Sequence, residues 1–179
     1  MDIVLKDGFA NWSVLNDTIM GGSSEAICKM TSNGLMLKGN MVEERGGFVS
    51  CRSPLYSSPI NLSDFSGLEI EIEGHGRTLK LGISCKTNGL DLSRFIYDGL
   101  KWIADLPTKQ SGVTKIKVPF INLVPVVRAK SVLFPLKFNS SSINQFQILY
   151  SKFGQPGKFN PSFSSGPFEI LLCSIKAYE

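Results

Sequence analysis

Apolar and polar residues alternate along several stretches of this chain, which is the pattern of strands with one face in a core. Residues 68–73 read LEIEIE, so the aliphatic side chains are expected to face inward and the glutamates to face water. Residues 79–85 alternate in the same way, and the intervening GHGRT at 74–78 predicts a hairpin that joins the two strands. Residues 35–39 also alternate, directly after Asn33-Gly34, a strong turn signal. These stretches predict β-structure.

Elsewhere the pattern also favours strands over helices. No stretch of twelve or more residues carries an apolar stripe with the helical period, and only residues 60–65, with Ser63 as N-cap, are predicted to form one helical turn. Short strands with turn signals at a spacing of roughly 8–12 residues are typical of an all-β sandwich or barrel. Further strands are predicted at residues 48–52, 115–118, 146–150 and 168–175.

Two stretches without alternation are predicted to be surface connections. Residues 132–142 contain Pro135 and a serine run, and residues 154–167 are rich in glycine, proline and serine. Long loops on a sandwich are where binding usually lies. The chain shows no internal repeat and no linker, and its 179 residues fit one domain, so residues 1–179 are predicted to form a single β-sandwich domain.

Composition narrows the class of protein. Apolar residues make up 42% of the chain and charged residues 19%, which indicates a globular and not a disordered protein. The net charge of +4 is mild and the lysines are scattered, so we expect no nucleic-acid-binding arm and no polybasic membrane anchor. The opening MDIVLKDG has no basic-then-apolar leader, and no apolar run is long enough to span a bilayer, so neither a secretory signal nor a transmembrane span is expected.

The four cysteines, Cys28, Cys51, Cys85 and Cys173, do not form a metal-binding pattern. No two are spaced as a CxxC pair and the chain has one histidine, so a zinc site is not expected. Each cysteine lies within an apolar or alternating run, where cysteine behaves as a small buried hydrophobic residue. We therefore expect reduced thiols in a reducing cytosol.

The candidate catalytic groups do not form a recognisable set. His75 lies between two glycines, and a Ser–His–Asp site would need Ser23 or Ser50 together with Asp17. No GxSxG elbow is present, and nothing in the sequence brings these residues together.

Two other patterns that carry chemistry are also missing. Glu43 and Glu44 are adjacent, so on a strand they would point to opposite faces and could not act as a catalytic pair. The MGGS at residues 20–23 lacks the lysine and the following helix of a phosphate-binding loop, so its glycines are expected to serve a turn. We expect a protein that is not an enzyme and that holds no metal and no cofactor.

Several motifs in a fixed order resemble one known family. The chain carries the motifs NDTIMGG at residues 16–22, GGFVSCRS at 46–53, GHGR at 74–77, a tryptophan at 102, VPF at 118–120 and GPFEILLCSIKAY at 166–178. Together they resemble the complex I intermediate-associated protein family, the thirty-kilodalton assembly factor of respiratory complex I. The resemblance covers nearly the whole chain and departs at His75, where the family usually has an acid.

The resemblance implies both a fold and a function. The fold would be an all-β, galactose-binding-like jelly-roll β-sandwich of about ten strands with at most short helical turns. The function would be that of a non-catalytic assembly factor or chaperone-like module for a membrane electron-transfer complex, either complex I-like or photosynthetic. Its partners would be protein subunits of that complex, with peripheral membrane association. Its location would be the bacterial cytoplasm, at a thylakoid or plasma-membrane surface, or an organellar matrix or stroma.

The binding residues are expected on loops at one end of the sandwich. Asp17 either forms a semi-buried ion pair with Arg52 or Arg77, or accepts hydrogen bonds from loop amides while the arginines cover aromatic faces. Whether Met20 packs inward or is presented to a partner stays open. The predicted partner- or ligand-binding residues are Asn16, Asp17, Met20, Gly21, Gly22, Ser23, Gly46, Gly47, Arg52, Arg77 and Trp102.

Two other functions stay open. A carbohydrate-binding module of this architecture would use aromatic side chains on a sheet face, although no Asp-rich calcium loop is visible. A cofactor- or pigment-binding protein would hold an apolar ligand between loops and attach it through a free cysteine. The aromatic candidates for sugar stacking are Trp12, Trp102, Tyr56, Tyr97 and Tyr150.

Overall fold

The computed structural model describes residues 8–86, 99–127, 130–132 and 135–179, and these form two antiparallel β-sheets. Three short 3-10 turns, Asp17–Met20, Phe120–Asn122 and Ser140–Ser142, are the helical elements of this part of the chain, which confirms the all-β prediction. None of the helices in these ranges is long and apolar enough to cross a membrane. The strands are β1 Ser13–Asn16, β2 Glu25–Thr31, β3 Gly34–Met41, β4 Phe48–Arg52, β5 Gly67–Glu73, β6 Thr78–Cys85, β7 Leu100–Pro107, β8 Thr114–Pro119, β9 Val124–Val127, β10 Lys130–Ser131, β11 Ile143–Ser151 and β12 Gly166–Tyr178.

The two sheets pack face to face as a jelly-roll β-sandwich. The seven-stranded sheet has the order β1-β4-β11-β6-β7-β9-β10, and the five-stranded sheet has the order β2-β3-β12-β5-β8. The inward side chains are those that the alternation predicted: Leu68, Ile70 and Ile72 of β5 are fully buried. On the outer side of the same sheet Lys115 lies 3.3 Å from Glu69 and 3.1 Å from Glu71. Alternation therefore sorted the two faces of these strands correctly.

The predicted hairpin between β5 and β6 is wrong. β5 pairs with β12 and β8, whereas β6 pairs with β11 and β7 in the other sheet. Residues 74–77 carry the chain from one sheet to the other, with His75 and Gly76 at φ values of 52° and 79°. A period-two pattern identifies the buried face of a strand but not its neighbour, so a short turn between two strands does not require that they pair.

The helical turn predicted at residues 60–65 does not form. Ile60 makes an isolated bridge to Ile143, and Leu62 is fully buried. The amide of Ser63 donates to Asn61 Oδ1 at 3.0 Å, so the asparagine side chain closes a local turn in place of a helix.

Cys28 and Cys51 form a disulfide, so the prediction of four reduced thiols is wrong for this pair. Cys28 lies on β2 and Cys51 on β4, and their Cα atoms are 6.1 Å apart across the two sheets. Twenty-three positions separate them in the chain, and only the packing of the sandwich brings them together. Cys85 and Cys173 are free. Burial raises the pKa of the Cys85 thiol to about 11, which disfavours its reactive thiolate.

Candidate functional site

A buried carboxylate joins three loops at one end of the sandwich. Asp17 is fully buried and accepts hydrogen bonds from Ser24 Oγ at 2.7 Å, Ser24 N at 2.9 Å, Gly47 N at 2.6 Å and Phe48 N at 3.3 Å. The carbonyl of Gly47 in turn accepts from Lys152 N at 2.8 Å. The loops after β1, before β4 and after β11 are thereby held together. We call Asp17 with its hydrogen-bond donors the Asp17 knot.

The glycines beside the knot make room for the carboxylate. A Cβ on Gly46 would lie 2.2 Å from Asp17 Oδ2, and a Cβ on Gly22 would lie 2.4 Å from Asp17 Cγ. Both distances are far inside contact range, so any side chain at either position would displace the carboxylate. The two glycine pairs of the sequence, residues 21–22 and 46–47, thus serve one buried acid from opposite sides.

The pKa of Asp17 lies below its ordinary value. Burial alone raises the pKa, but the hydrogen bonds from the Ser24 hydroxyl and from the Gly47, Ser24 and Phe48 amides outweigh this effect. The carboxylate is therefore ionised near neutral pH, and its charge is balanced by donated hydrogen bonds. Within the described residues no arginine pairs with it, so the predicted ion pair with Arg52 or Arg77 is wrong and the alternative, acceptance from loop amides, is confirmed.

The knot holds two large apolar side chains in water. Residues Asp17–Met20 form one 3-10 turn, which ends at Gly21 with a φ of 84°. Ile19 is 67% exposed and Met20 is 71% exposed. The open question about Met20 is thus answered: it is presented to solvent.

Beside this turn, the outer face of the seven-stranded sheet carries a cavity of about 670 Å³. Strands β1, β4, β11, β6, β7 and β9 form its floor, and the loops of the Asp17 knot form one side. Its apolar lining includes Leu15, Met20, Phe48, Ile103, Leu149 and Phe153. Its cationic lining consists of Arg45, Arg52, Lys80, Lys101 and Lys152. We call it the sheet cavity.

Two of the floor cations, Lys101 and Arg52, have no acidic partner among the described residues. Burial and, to a smaller extent, the nearby charge of Arg52 together lower the pKa of Lys101 to about 8. Lys101 Nζ donates to Gln147 Oε1, a neutral acceptor. Burial also lowers the pKa of Lys80, which donates to the Phe153 carbonyl and has the carboxylate of Asp105 nearby. Arg52 has no hydrogen bond or ion pair from its guanidinium to any residue that the structure describes.

Comparison with known proteins identifies the family. A family model described as complex I intermediate-associated protein 30 matches residues 1–171. The chain belongs to this family. Among curated protein sequences no significant match is found.

Solved structures that resemble this family member share its fold at low sequence identity. A family 11 carbohydrate-binding module from a cellulosomal cellulase of Clostridium thermocellum superimposes with a TM-score of 0.67 at 14% identity, over 99% of this chain and 93% of that one. A family 11 module of the same organism, in complex with a β-1,3-1,4-mixed-linked tetrasaccharide, superimposes with a TM-score of 0.64 at 17% identity, over 97% of this chain and 91% of that one. An agarase superimposes with a TM-score of 0.57 at 10% identity, over 95% of this chain and 23% of that one. These matches confirm the jelly-roll sandwich.

The family motifs at residues 16–22 and 46–53 meet in the Asp17 knot. Of the predicted binding residues, Met20, Gly46 and Arg52 line the sheet cavity. Asp17, Gly21, Gly22 and Gly47 instead shape the knot and its turn. Asn16 precedes the turn, and its Oδ1 is buried without a hydrogen-bond partner among the described residues. Ser23 is exposed, whereas the neighbouring Ser24, which the sequence analysis missed, is buried against the carboxylate.

Two predicted binding residues, Trp102 and Arg77, do not line the sheet cavity. Trp102 is 5% exposed and packs edge-on against Phe138 in the core, so its side chain is not offered to a partner. Arg77 covers the ring of Tyr150, 5.7 Å from the centroid, and donates to the Pro167 carbonyl at 3.4 Å, as expected of an arginine on an aromatic face. In this family member the Arg77 side chain is therefore engaged in contacts within the chain.

The candidate catalytic groups, His75 and Ser50, have separate partners. His75 Nδ1 lies 4.0 Å from Glu73 Oε1, and Ser50 Oγ donates to the Leu15 carbonyl at 3.4 Å. Across the described ranges no group of three His, Cys, Asp or Glu residues has the arrangement of a metal site. The free thiols Cys85 and Cys173 are absent from the cavity lining, so a thiol-attached ligand in this cavity is not supported by the described residues.

The cations of the cavity floor are not predicted by the sequence pattern. Lys80 and Lys101 look like ordinary outward residues of alternating strands. The cross-strand register shows their surroundings: Lys80 lies opposite Leu149, and Arg52 lies opposite Gln147, to which Lys101 donates. No acid stands opposite either position on β11. Lys101, a mid-strand lysine whose amino group donates to a neutral amide, therefore stands out only once the register is known.

Removal of the buried charge at Lys101 is expected to stabilise the protein. Lys101→Met should raise the free energy of unfolding at pH 7 by about 1–3 kcal/mol, because a partly buried cation with no acidic partner among the described residues is costly. The folded-state pKa of about 8 lies below the unfolded value, so the unfolded chain binds more protons between them. The wild type should therefore regain this stability as the pH rises from 8 to 10.5, and the difference from the variant should vanish.

Urea unfolding at pH 7 and at pH 10 measures the effect. Lys29→Met, at an exposed lysine on the five-stranded sheet, is the matched control and should change stability little at either pH. A Lys101→Met protein less stable than the wild type at pH 7 would contradict the interpretation.

Proposed function

We propose that this protein is a non-catalytic binding module that serves the assembly of a membrane electron-transfer complex, complex I-like or photosynthetic, by binding one of its protein subunits. The family match supports the link to complex I assembly. The observation that carries the binding role is that the Asp17 knot, at the meeting point of two family motifs, holds Ile19 and Met20 in solvent.

Two further exposed aromatic residues extend the proposed contact surface. Phe153 and Phe159 are 47% and 74% exposed, and their rings stack with centroids 6.5 Å apart. Phe153 lines the sheet cavity together with Met20, so both pairs border the same opening. We call Ile19, Met20, Phe153 and Phe159 the apolar tip. Single exposed apolar residues are common, but a group of four on adjacent loops is typical of an interaction surface.

Cations surround the apolar tip. Lys152 Nζ lies 5.4 Å from the centroid of the Phe153 ring and donates to the Glu43 carbonyl at 2.8 Å. Arg45 lies in the same loop as Glu43, and Lys158 lies beside Phe159. An apolar surface with a basic rim suits a client subunit with an acidic border, at the membrane surface where such complexes mature. The proposed location is the cytoplasmic, stromal or matrix side of that membrane.

The test is crosslinking in cells followed by mass spectrometry. The wild type is expected to crosslink to subunits of a membrane electron-transfer complex, and Ile19→Asp/Met20→Asp to lose about tenfold or more of that yield, because charges replace the central apolar contacts. Ile121→Asp is the matched control. Ile121 is 92% exposed and follows β8 at the end of the sandwich remote from residues 74–77.

Two outcomes would refute the proposal. One is a wild-type protein that crosslinks to no subunit of such a complex. The other is a double variant that captures the same subunits with the yield of the wild type while its thermal unfolding is unchanged.

Carbohydrate binding is a second candidate, favoured by one observation. The similar family 11 module was solved with a mixed-linked tetrasaccharide, and this chain has a cavity on a sheet face. Against it, Trp12, Trp102 and Tyr150 are buried and Tyr56 is absent from the cavity lining. The aromatic residues of that lining are Phe48 and Phe153. Tyr97, also a candidate, lies outside the described residues. Calorimetry with the β-1,3-1,4-mixed-linked tetrasaccharide decides: saturable heat of binding would favour this candidate over the first.

A further inference from the structure

The floor of the sheet cavity has a gap at its centre. Arg52, Gln147, Gly82 and Ile103 lie in one row across β4, β11, β6 and β7. Gly82 contributes no side chain, so the row is interrupted beneath the cavity. A Cβ there would meet Gln147 Cβ at 3.4 Å, an ordinary contact, so the local backbone does not itself require glycine. The missing side chain instead leaves open space in the floor of the sheet cavity.

The charged side chains on the two sides of this gap are both cations. Arg52 lies on one side, and Lys101, which donates to Gln147, lies on the other. Asp105, which is not among the lining residues, lies directly opposite Lys80 in the neighbouring strand. Asp105 therefore compensates Lys80 and leaves Arg52 and Lys101 facing the same space without an acid from the described part of the chain. Partly buried cations that lack an acidic partner attract an anion strongly, because water screens their charges poorly.

The rest of the lining is mostly apolar. Phe48, Ile103 and Leu149 flank the two cations, and Phe153 closes one side. The volume of about 670 Å³ falls within the range of small-molecule sites, which is about 300–1,000 Å³. A fully hydrated anion would leave these apolar walls wet, whereas a neutral apolar ligand would leave the cations without a partner.

We propose that the sheet cavity binds a small anionic amphiphile, with a carboxylate or phosphate group between Arg52 and Lys101 and an apolar body over Gly82. The apolar body rests against Leu149, Ile103 and Phe48, and the anionic group completes the hydrogen bonding of Arg52. This inference goes beyond the proposed function, since it concerns the cavity floor and needs no client at the apolar tip.

Two fluorescent probes with the same ring system test the proposal on the purified full chain. Anilinonaphthalene sulfonate carries an anion, and N-phenylnaphthylamine is its neutral counterpart. The wild type is expected to bind the sulfonate at one saturable site, about tenfold or more tightly than the neutral probe. Arg52→Met/Lys101→Met should abolish that preference and leave the affinity for the neutral probe within about twofold. Lys29→Met, on the other sheet, should behave as the wild type.

A steric variant locates the probe independently of charge. Gly82→Leu places a side chain in the gap and should weaken both probes by about tenfold or more, with thermal unfolding recorded to show that the variant is folded. The anionic group is then identified by displacement of the bound sulfonate. Displacement by dodecanoate indicates a carboxylate ligand, and stronger displacement by dodecyl phosphate indicates a phosphate ligand, whereas dodecanol should not compete.

Four results would overturn the inference. They are equal affinity of the wild type for the two probes, an unchanged preference in the Arg52→Met/Lys101→Met protein, a folded Gly82→Leu protein that binds both probes normally, and displacement only by the mixed-linked tetrasaccharide. Loss of client capture by the Ile19→Asp/Met20→Asp protein is a separate readout, so either proposal can fail while the other stands.

Discussion

Asp17→Asn is expected to lower the free energy of unfolding by about 2–4 kcal/mol, the largest effect of a single substitution proposed for this chain. Every partner of the carboxylate is a donor: the hydroxyl and amide of Ser24 and the amides of Gly47 and Phe48. An asparagine side chain offers one oxygen in place of two and turns its own NH₂ group toward some of these donors. The buried amides would then lack acceptors, which is the costly case for a buried polar group.

The measurement is urea unfolding at pH 7, supported by a fall in Tm of about 10 °C. Asp64→Asn, at an exposed acid, is the control and should change stability by less than about 0.5 kcal/mol. The pH dependence supplies a second check. Because the folded-state pKa of Asp17 is lowered, its contribution is present above the unfolded-state pKa and is lost as the pH falls through the folded-state value. The two proteins should therefore converge in acid, and an equal difference at pH 7 and pH 2 would contradict the role of the charge.

The same substitution links stability to the proposed function. The 3-10 turn at Asp17–Met20 is held at one end by the knot, so loss of the knot should also release Ile19 and Met20 from their fixed positions. Client capture by Asp17→Asn should fall even at temperatures where the variant is folded. Ser24→Ala removes one donor and leaves the carboxylate in place, so its effect on both stability and capture should be smaller.

Removal of the Cys28–Cys51 disulfide is expected to lower the free energy of unfolding by about 3 kcal/mol. The bond closes a loop between residues 23 positions apart and links the two sheets, so its loss mainly frees the unfolded chain. Urea unfolding with and without tris(2-carboxyethyl)phosphine measures the effect in the wild type. Cys28→Ser/Cys51→Ser should match the reduced wild type and show no response to the reductant.

The control for this prediction is Cys85→Ser/Cys173→Ser. Both of these cysteines are free, so the double variant should keep the full response to the reductant. An oxidised wild-type protein whose unfolding curve does not shift on reduction would refute the stabilising role. Four titratable thiols in the unreduced, denatured protein would refute the disulfide itself.

Much of the fold follows from local pattern. The alternation in residues 68–73 and 79–85 fixes which side chains face the core, because successive side chains of a strand point to opposite faces. The turn signal at Asn33-Gly34 joins β2 to β3, which pair as neighbours. The glycine-rich stretch at 154–167 is a connection, with Gly166 already the first residue of β12. The prediction of a hairpin between β5 and β6 is wrong, because the pairing of two strands depends on how whole sheets stack and not on the length of the turn between the strands.

The candidate site was predicted in part. The sequence shows residues 16–22 and 46–53 as parts of one family pattern, and it predicts hydrogen bonds from loop amides to Asp17 as one of two alternatives. Ser24 was missed because a second serine after two glycines looks like ordinary loop composition. Lys80, Lys101 and Gln147 were missed because each lies on a different strand, and the strands that bring them together are far apart in sequence.

The sequence by itself determined the fold class, the buried faces of the strands, the family and the loop that carries Asp17. These properties can be read from the order of residues along the chain, as a period of two residues, a turn composition, and motifs in succession. Only the tertiary structure decided that Asp17 is an internal acceptor, that Met20 faces water, that Cys28 reaches Cys51, and that Arg52 and Lys101 share one cavity. These facts depend on contacts between strands that are distant in the sequence. Such contacts contribute energy only when the two sheets pack and the registers between neighbouring strands are set.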